Sequence, residues 1–172
     1  MLIRDAVPGD APSIGLVHVR SWQATYRGVV PDAVLDALDA SERGRVWAHR
    51  LPQLGPGARV LVVEVAEGVV GFVAVGGTGE VGVGEVFSLY LDPDVIGTGV
   101  GRALFAAAVD ALRDLGFRRA VLWVGEANMR ARRFYEAAGW RADGECKVDG
   151  AFGALIAEVR YCCELAPTTV LV

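Results

Sequence analysis

The chain has 172 residues, 53% of them hydrophobic, with 21 acidic residues, 17 basic ones and a formal net charge of -4. That length suits one domain with a sizeable core, and an acidic balance without a basic stripe argues against nucleic acid as the main partner. Mean hydropathy is high, +0.37, yet charges interrupt every apolar stretch; no run approaches the ~20 residues of a membrane span, and no membrane partner is expected.

In chain order, "LIRDA" (Leu2 to Ala6) reads as a first strand. Asp10 can cap a helix with Pro12 in its first turn, and Ile14, Val17, Ser21 and Tyr26 follow helical spacing. "PDAVLDALD" and "SERGRVWAHRL" form a second helical pair. "ARVLVVEVA" and "VVGFVAVGG" bracket Glu67 and Gly68 as a hairpin. The loop "GGTGEVGVG" then leads into a strand, "EVFSLYLD". A helix runs from Gly101 to about Leu115, with Gly116 as its C′ residue. "AVLWV" is a buried strand, and "NMRARRFYEAAG" a helix from Asn128 that Gly139 ends. Strands over Trp140 to Lys147 and Ala154 to Leu165 close the fold. The order β-α-α-β-β-β-α-β-α-β-β predicts an α/β (α+β) protein, a mixed sheet flanked by helices rather than a repeating βα series. Residues 1–165 form one domain in this reading, followed by a short tail, 166–172.

Charged residues Arg4, Asp5 and Asp10 stand where a signal peptide would be apolar, so a cytoplasmic location is expected. Cys146, Cys162 and Cys163 cannot pair evenly and form no CxxC or Cys/His cluster, which predicts reduced thiols and no metal. His18 and His49 are isolated on helical segments and read as structural or surface groups.

Between Asp92 and Phe105 the sequence is "DPDVIGTGVGRALF". Gly97, Gly99 and Gly101 alternate between a strand and a helix. A dinucleotide fingerprint wants a third glycine where Arg102 stands, and the preceding strands come as hairpins. A P-loop needs a lysine, absent from this region. A plain turn needs only one glycine. Bare backbone before a helix N-terminus fits an anion cradle, where N–H groups and the helix dipole face a phosphate.

"LYLDPDVIGTGVGRAL", followed by "LWVGEANMRARRFYEAAGW", resembles the two signature regions of the GNAT superfamily of N-acetyltransferases. With "VGFVAV" and "SWQATYRGVVPD" the likeness spans roughly residues 2 to 165. The resemblance implies a mostly antiparallel GNAT sheet and acetyl-CoA as cosubstrate. It implies that the loop of Ile96, Gly97, Thr98, Gly99, Val100, Gly101 and Arg102 holds the pyrophosphate. Ile96 replaces the Gln or Arg usual there, which matters only if that position works through its side chain. Leu89, Tyr90 and Leu91 would meet the pantetheine through backbone hydrogen bonds, with the Leu91 N–H toward the thioester oxygen.

Acetyl transfer to an amine needs a base, an oxyanion donor and an acid for the leaving thiolate. The resemblance implies Glu85 as base, directly or through water; otherwise it is a solvated carboxylate at a strand end. Tyr135, seven residues after Asn128, is the implied acid; otherwise it is core. Asn128 can be an N-cap, a cofactor contact or both, and Arg132 and Phe134 flank the cofactor. Trp22 and Tyr26 lie four apart on one helical face, either as core rings or as cation–π walls for the acceptor. The acceptor region is expected around Ser21 to Pro31 and Gly76 to Gly84. The leading function is an N-acetyltransferase acting on a primary amine; the alternative is a CoA-binding sensor without turnover. The acceptor's identity stays open, and so does the oligomeric state, a homodimer included.

Overall fold

The computed structural model describes residues 1–151 and 154–165; the proposed tail, 166–172, lies outside them. Among the described residues seven strands form one sheet: β1 (Leu2–Asp5), β2 (Ala58–Val65), β3 (Gly68–Gly77), β4 (Val83–Leu91), β5 (Arg119–Gly125), β6 (Arg141–Ala151) and β7 (Ala154–Glu164). Their spatial order is β1-β2-β3-β4-β5-β7-β6. Only β4 and β5 run parallel; the other neighbours are antiparallel. The helices are α1 (Ala11–Tyr26), α2 (Asp32–Asp36), α3 (Ala40–Arg50), α4 (Val100–Asp114) and α5 (Met129–Ala137). Three helices, not two, thus separate β1 from β2, because Pro31 starts the five-residue α2 as a helix of its own. β6 runs to Ala151, past the expected Lys147, since β7 offers partners that far.

Strand alternation builds two cores. Leu61, Val63, Val73, Val75, Val86 and Leu122 face one side with Leu104, Phe105 and Leu112 of α4. Val60, Val62, Phe72 and Ala74 face the other, against Ile14, Val17 and Trp47 of α1 and α3. No helix among the described residues is long and apolar enough to cross a membrane. Cys162 is a core filler with Val83 and Val121, and all three cysteines are free.

Asp10 departs from its expected capping role and makes no side-chain cap bond to α1. Its carboxylate instead accepts two bonds from Arg4, at 2.7 and 2.9 Å, and one from the Val7 N–H at 2.8 Å. The guanidinium brings the carboxylate two charged donors, and Arg4 beside it holds its pKa below the usual carboxylate range. Asp39 does cap α3, accepting from the Ser41 and Glu42 N–H groups.

Two irregularities prepare the functional end. The β3–β4 register passes from Ala74↔Ser88 to Val75↔Val86, leaving Phe87 as a bulge. The bulge resets the alternation, so Glu85 and Ser88, three apart, share one face. The parallel β4–β5 ladder holds only from Val83↔Arg119 to Val86↔Leu122. Beyond it the two strands part.

The α1–α3 crossing depends on missing side chains. A Cβ on Gly15 would strike the Gly44 backbone nitrogen and lie 2.5 Å from the Ala40 carbonyl oxygen. Backbone cannot step aside as a side-chain tip can. Gly15→Ala is therefore expected to destabilise the protein by about 1–3 kcal/mol despite alanine's higher helix propensity. Urea unfolding measures this; a gain in stability would show that the helices separate freely.

Candidate active site

Where β4 and β5 part, a cleft of about 890 Å³ opens. One wall is the β4 segment Glu85 to Leu91, whose edge toward β5 has no strand partner after Val86 among the described residues. Beyond it lies the loop into α4. Gly97 and Gly99 hold φ of +85° and +92°, and a Cβ on either would meet nothing within 4 Å. These glycines answer to a left-handed backbone rather than to crowding. Gly101 differs: there a Cβ would come 2.8 Å from Leu91 Cδ1. Gly99 is the N-cap of α4 and brings no side chain to its first-turn N–H groups. Those donors and the positive end of the helix dipole face the cleft mouth.

The opposite wall is α5 and the end of β5. Asn128 caps α5, its Oδ1 accepting from the Ala131 N–H at 3.1 Å. Tyr135 is 8% exposed and lines the cleft beside Phe134. Burial pushes its hydroxyl pKa up, so it keeps its proton at neutral pH. Phe134 packs edge-on against Phe105, ring centres 5.4 Å apart.

The far end is lined by Ser21, Thr25 and Tyr26 of α1 and by Glu85, Trp123, Lys147, Asp149 and Glu158 of the strands. Glu85 is half-buried; desolvation raises its pKa, nearby Glu158 adds to the rise, and Lys147 and Arg160 oppose it. Glu158 is also raised by burial, against the pull of Lys147.

Most expected site residues meet in this one cleft. Glu85, Leu89, Tyr90, Leu91, Ile96, Gly97, Thr98, Gly99, Gly101 and Arg102 line it, as do Asn128, Phe134, Tyr135 and Tyr26. Three do not. The Val100 side chain turns into the core, which leaves only its backbone for a ligand. Arg132 donates from Nε to the Tyr161 hydroxyl at 3.3 Å and from Nη1 to the Glu126 carbonyl at 3.2 Å; Arg130 stands on the wall instead. Trp22 is 4% exposed, packed with Val30, Leu35 and Ile156, and its Nε1–H donates to the Tyr90 hydroxyl at 3.0 Å. Of the two helix rings, only Tyr26 reaches the cleft. The Gly76 to Gly84 segment, expected near the acceptor, lines none of it, because it sits at the paired end of β4. Lys147, Asp149, Glu158 and Trp123 are additions. Their one sequence signal is strand alternation, and it discloses nothing of which strands pair.

The site fits a long ligand with a phosphate at one end and amides along its length. The glycine loop and α4 offer an anion cradle, and the open β4 edge offers backbone partners for an extended amide chain. The Ser88 Oγ, buried on the cleft wall, has no hydrogen-bond partner among the described residues. An unsatisfied buried hydroxyl is costly and suits a polar ligand.

Comparison with known proteins agrees. The family described as acetyltransferase (GNAT) family matches residues 19–140. The chain is 32% identical over 130 residues to the uncharacterized N-acetyltransferase YuaI of Bacillus subtilis (strain 168), covering 73% of this chain and 72% of that one. It is 36% identical over 140 residues to an uncharacterized N-acetyltransferase of Archaeoglobus fulgidus, covering 78% and 89%. Among solved structures, yncA from Salmonella typhimurium with its cofactor acetyl-CoA superposes with a TM-score of 0.72 at 22% identity, covering 100% and 98%.

Proposed function

The chain belongs to the acetyltransferase (GNAT) family, and we propose that it transfers the acetyl group of acetyl-CoA directly to a primary amine. One observation carries this reading: a single cleft brings together the Gly97–Gly99 cradle, the unpaired β4 edge, the buried Tyr135 hydroxyl and the Glu85 carboxylate. Acetyl-CoA, when bound, supplies an activated acyl carbon and a thiolate leaving group. The α4 N-terminus and glycine loop hold its pyrophosphate, and the β4 edge aligns its pantetheine arm. Glu85 takes a proton from the acceptor ammonium, directly or through water. The freed amine nitrogen bonds to the acyl carbon, and the C–S bond breaks. The Leu91 N–H stabilises the carbonyl oxygen as charge builds there. Tyr135 gives its proton to the departing sulfur, and the second proton of the acylated nitrogen returns to the tyrosinate, leaving a neutral amide and a free thiol. A binding module without turnover would need neither Glu85 nor Tyr135. Thiol release from acetyl-CoA across a panel of amines tests the whole reading, and no release with any amine would return it to a binding protein.

Gly99→Val puts a β-branched residue at φ +92°, a conformation costing about 1–2 kcal/mol for an L-residue. The loop should reshape locally and lose acetyl-CoA affinity while the protein stays folded. Calorimetry reads the affinity; an unchanged value in the folded variant removes the cradle from the cofactor site.

Tyr135→Phe keeps the packing against Phe105 and is expected to leave acetyl-CoA affinity intact while lowering kcat by ~10²-fold. A wild-type kcat, with chemistry shown to limit the rate, would make Tyr135 a core residue only.

The pH dependence tests Glu85. Because its pKa is raised by burial, the proton-accepting form is lost as pH falls through that elevated value. Wild-type kcat/KM should therefore drop on an acidic limb above the usual carboxylate range. Glu85→Gln should show its largest deficit between the raised pKa of Glu85 and the acceptor's own pKa, where wild type holds the carboxylate and the amine still carries its extra proton. The deficit should shrink as the amine loses its proton unaided. Parallel wild-type and variant profiles would move the base elsewhere.

A further inference from the structure

Lys147 is the sole lysine of the chain, and it lines the cleft together with Glu85, Trp123 and Glu158, its own side chain 40% exposed. Its Nζ sits 4.6 Å from the centre of the Trp123 ring. It is 3.3 Å from Glu158 Oε2 and 3.8 Å from Asp149 Oδ2. Glu158 has only 18% of its side chain exposed, whereas Asp149 has 55%. The register makes this cluster: Glu158 faces Lys147 on one side and Gly125 on the other. Gly125 has no side chain, and a Cβ there would lie 3.3 Å from the Tyr26 hydroxyl oxygen. The cluster thus has an indole floor, a mostly buried carboxylate and a phenol wall.

We infer that Glu158 and the face of Trp123 form the ammonium subsite for the acceptor, that Lys147 fills it while no acceptor is bound, and that it takes an unbranched primary alkylammonium. This rests on the acetyl-transfer reading. Lys147 is itself such a group, and it shows the two attractions an incoming amine would use: ion pairing with Glu158 and a cation–π contact with Trp123. When displaced, the Lys147 ammonium keeps Asp149 as a partner in water, so exchange costs little. Arg160 does not compete for the place; it lies 5.7 Å over the same indole but is held by Asp143 at 2.9 Å. The charge at this end selects against amino acids. Glu85, Asp149 and Glu158 line it with Lys147, and a carboxylate beside the acceptor's amine would enter a field of like charge. A diamine end or a lysine side chain brings no such group.

Because the chain has one lysine, lysine labelled with carbon-13 at the ε position gives one side-chain signal to follow. The probes are putrescine, Nα-acetyl-lysine amide and, as control, glycine. We expect putrescine or the lysine amide, whichever source the enzyme uses, to shift the Lys147 signal saturably, and glycine to leave it in place. Glu158→Gln should abolish the saturable shift and raise the KM for the active amine about tenfold or more, the worth of a charge-assisted hydrogen bond. Its dissociation constant for acetyl-CoA should not change, and Glu158→Asp should recover part of the loss. Lys147→Met, lacking the competitor, should lower that KM. A Lys147 signal that stays fixed at amine concentrations saturating turnover overturns the inference, as does a wild-type KM in Glu158→Gln or glycine proving the better acceptor. If Glu158→Gln does not fold, the wild-type titration alone decides. If no amine releases thiol, the acetyl-transfer reading has failed; a saturable shift with putrescine still supports the subsite, and its absence removes it.

Discussion

Four residue pairs join β4 to β5, and the site depends on that ladder being so short. Each strand is committed to its outer neighbour. β3 pairs with β4 along its length, and β7 pairs with β5 from Arg119 to Gly125. The Phe87 bulge adds twist to β4 just past the last shared pair, and strands bound on their far sides cannot follow each other through it. The sheet splits instead of stopping. It leaves unpaired backbone on β4 that is sheltered by α1 and α5 yet open to a ligand, where an ordinary edge strand would be exposed to other chains.

The split also sorts charge. At one end α4 begins with a bare glycine cap, so the positive end of a 15-residue helix meets the cleft with Arg102 and Arg130 nearby. At the other end the strands contribute Glu85, Asp149 and Glu158. The two ends of one cleft therefore carry opposite charge. The cleft also carries three tyrosines, Tyr26, Tyr90 and Tyr135, whose hydroxyl pKa values burial raises further above neutrality.

What the sequence disclosed was local. The alternating glycines, the Asn128 cap and Tyr135 depend on residues close in the chain, and short-range spacing carries them. Helix faces were half visible. Trp22 and Tyr26 do share a face, but the face curves from the core to the cleft edge, and only the later residue emerges. On α5, Arg130 and Phe134 are four apart and both line the cleft, while Arg132 points to Tyr161; spacing from Phe134 could have favoured Arg130. The β4 face was hidden for another reason. Plain alternation sets Glu85 with Leu89 and Leu91, whereas the bulge sets it with Ser88 and Tyr90. Glu158, Lys147 and Trp123 were out of reach altogether, because they meet through the register of three strands that are not all neighbours in sequence.

The aromatic anchor of β4 explains why the cleft keeps its shape. Tyr90 is fixed from both sides: the His18 ring stacks on it, centres 4.5 Å apart, and the Trp22 indole N–H binds its hydroxyl at 3.0 Å. His18 in turn accepts from the Trp47 indole N–H at 3.4 Å. That acceptor role requires a neutral ring, and burial supplies one by pushing the His18 pKa down to about 3. Two helices are thereby locked to the strand whose other edge borders the cleft. Tyr26 lies one helical turn after Trp22, so its place over Gly125 follows from a contact made at Tyr90. The Tyr26 ring packs against Trp22, ring centres 4.6 Å apart, and so inherits its place from the hydrogen bond that Trp22 makes to Tyr90.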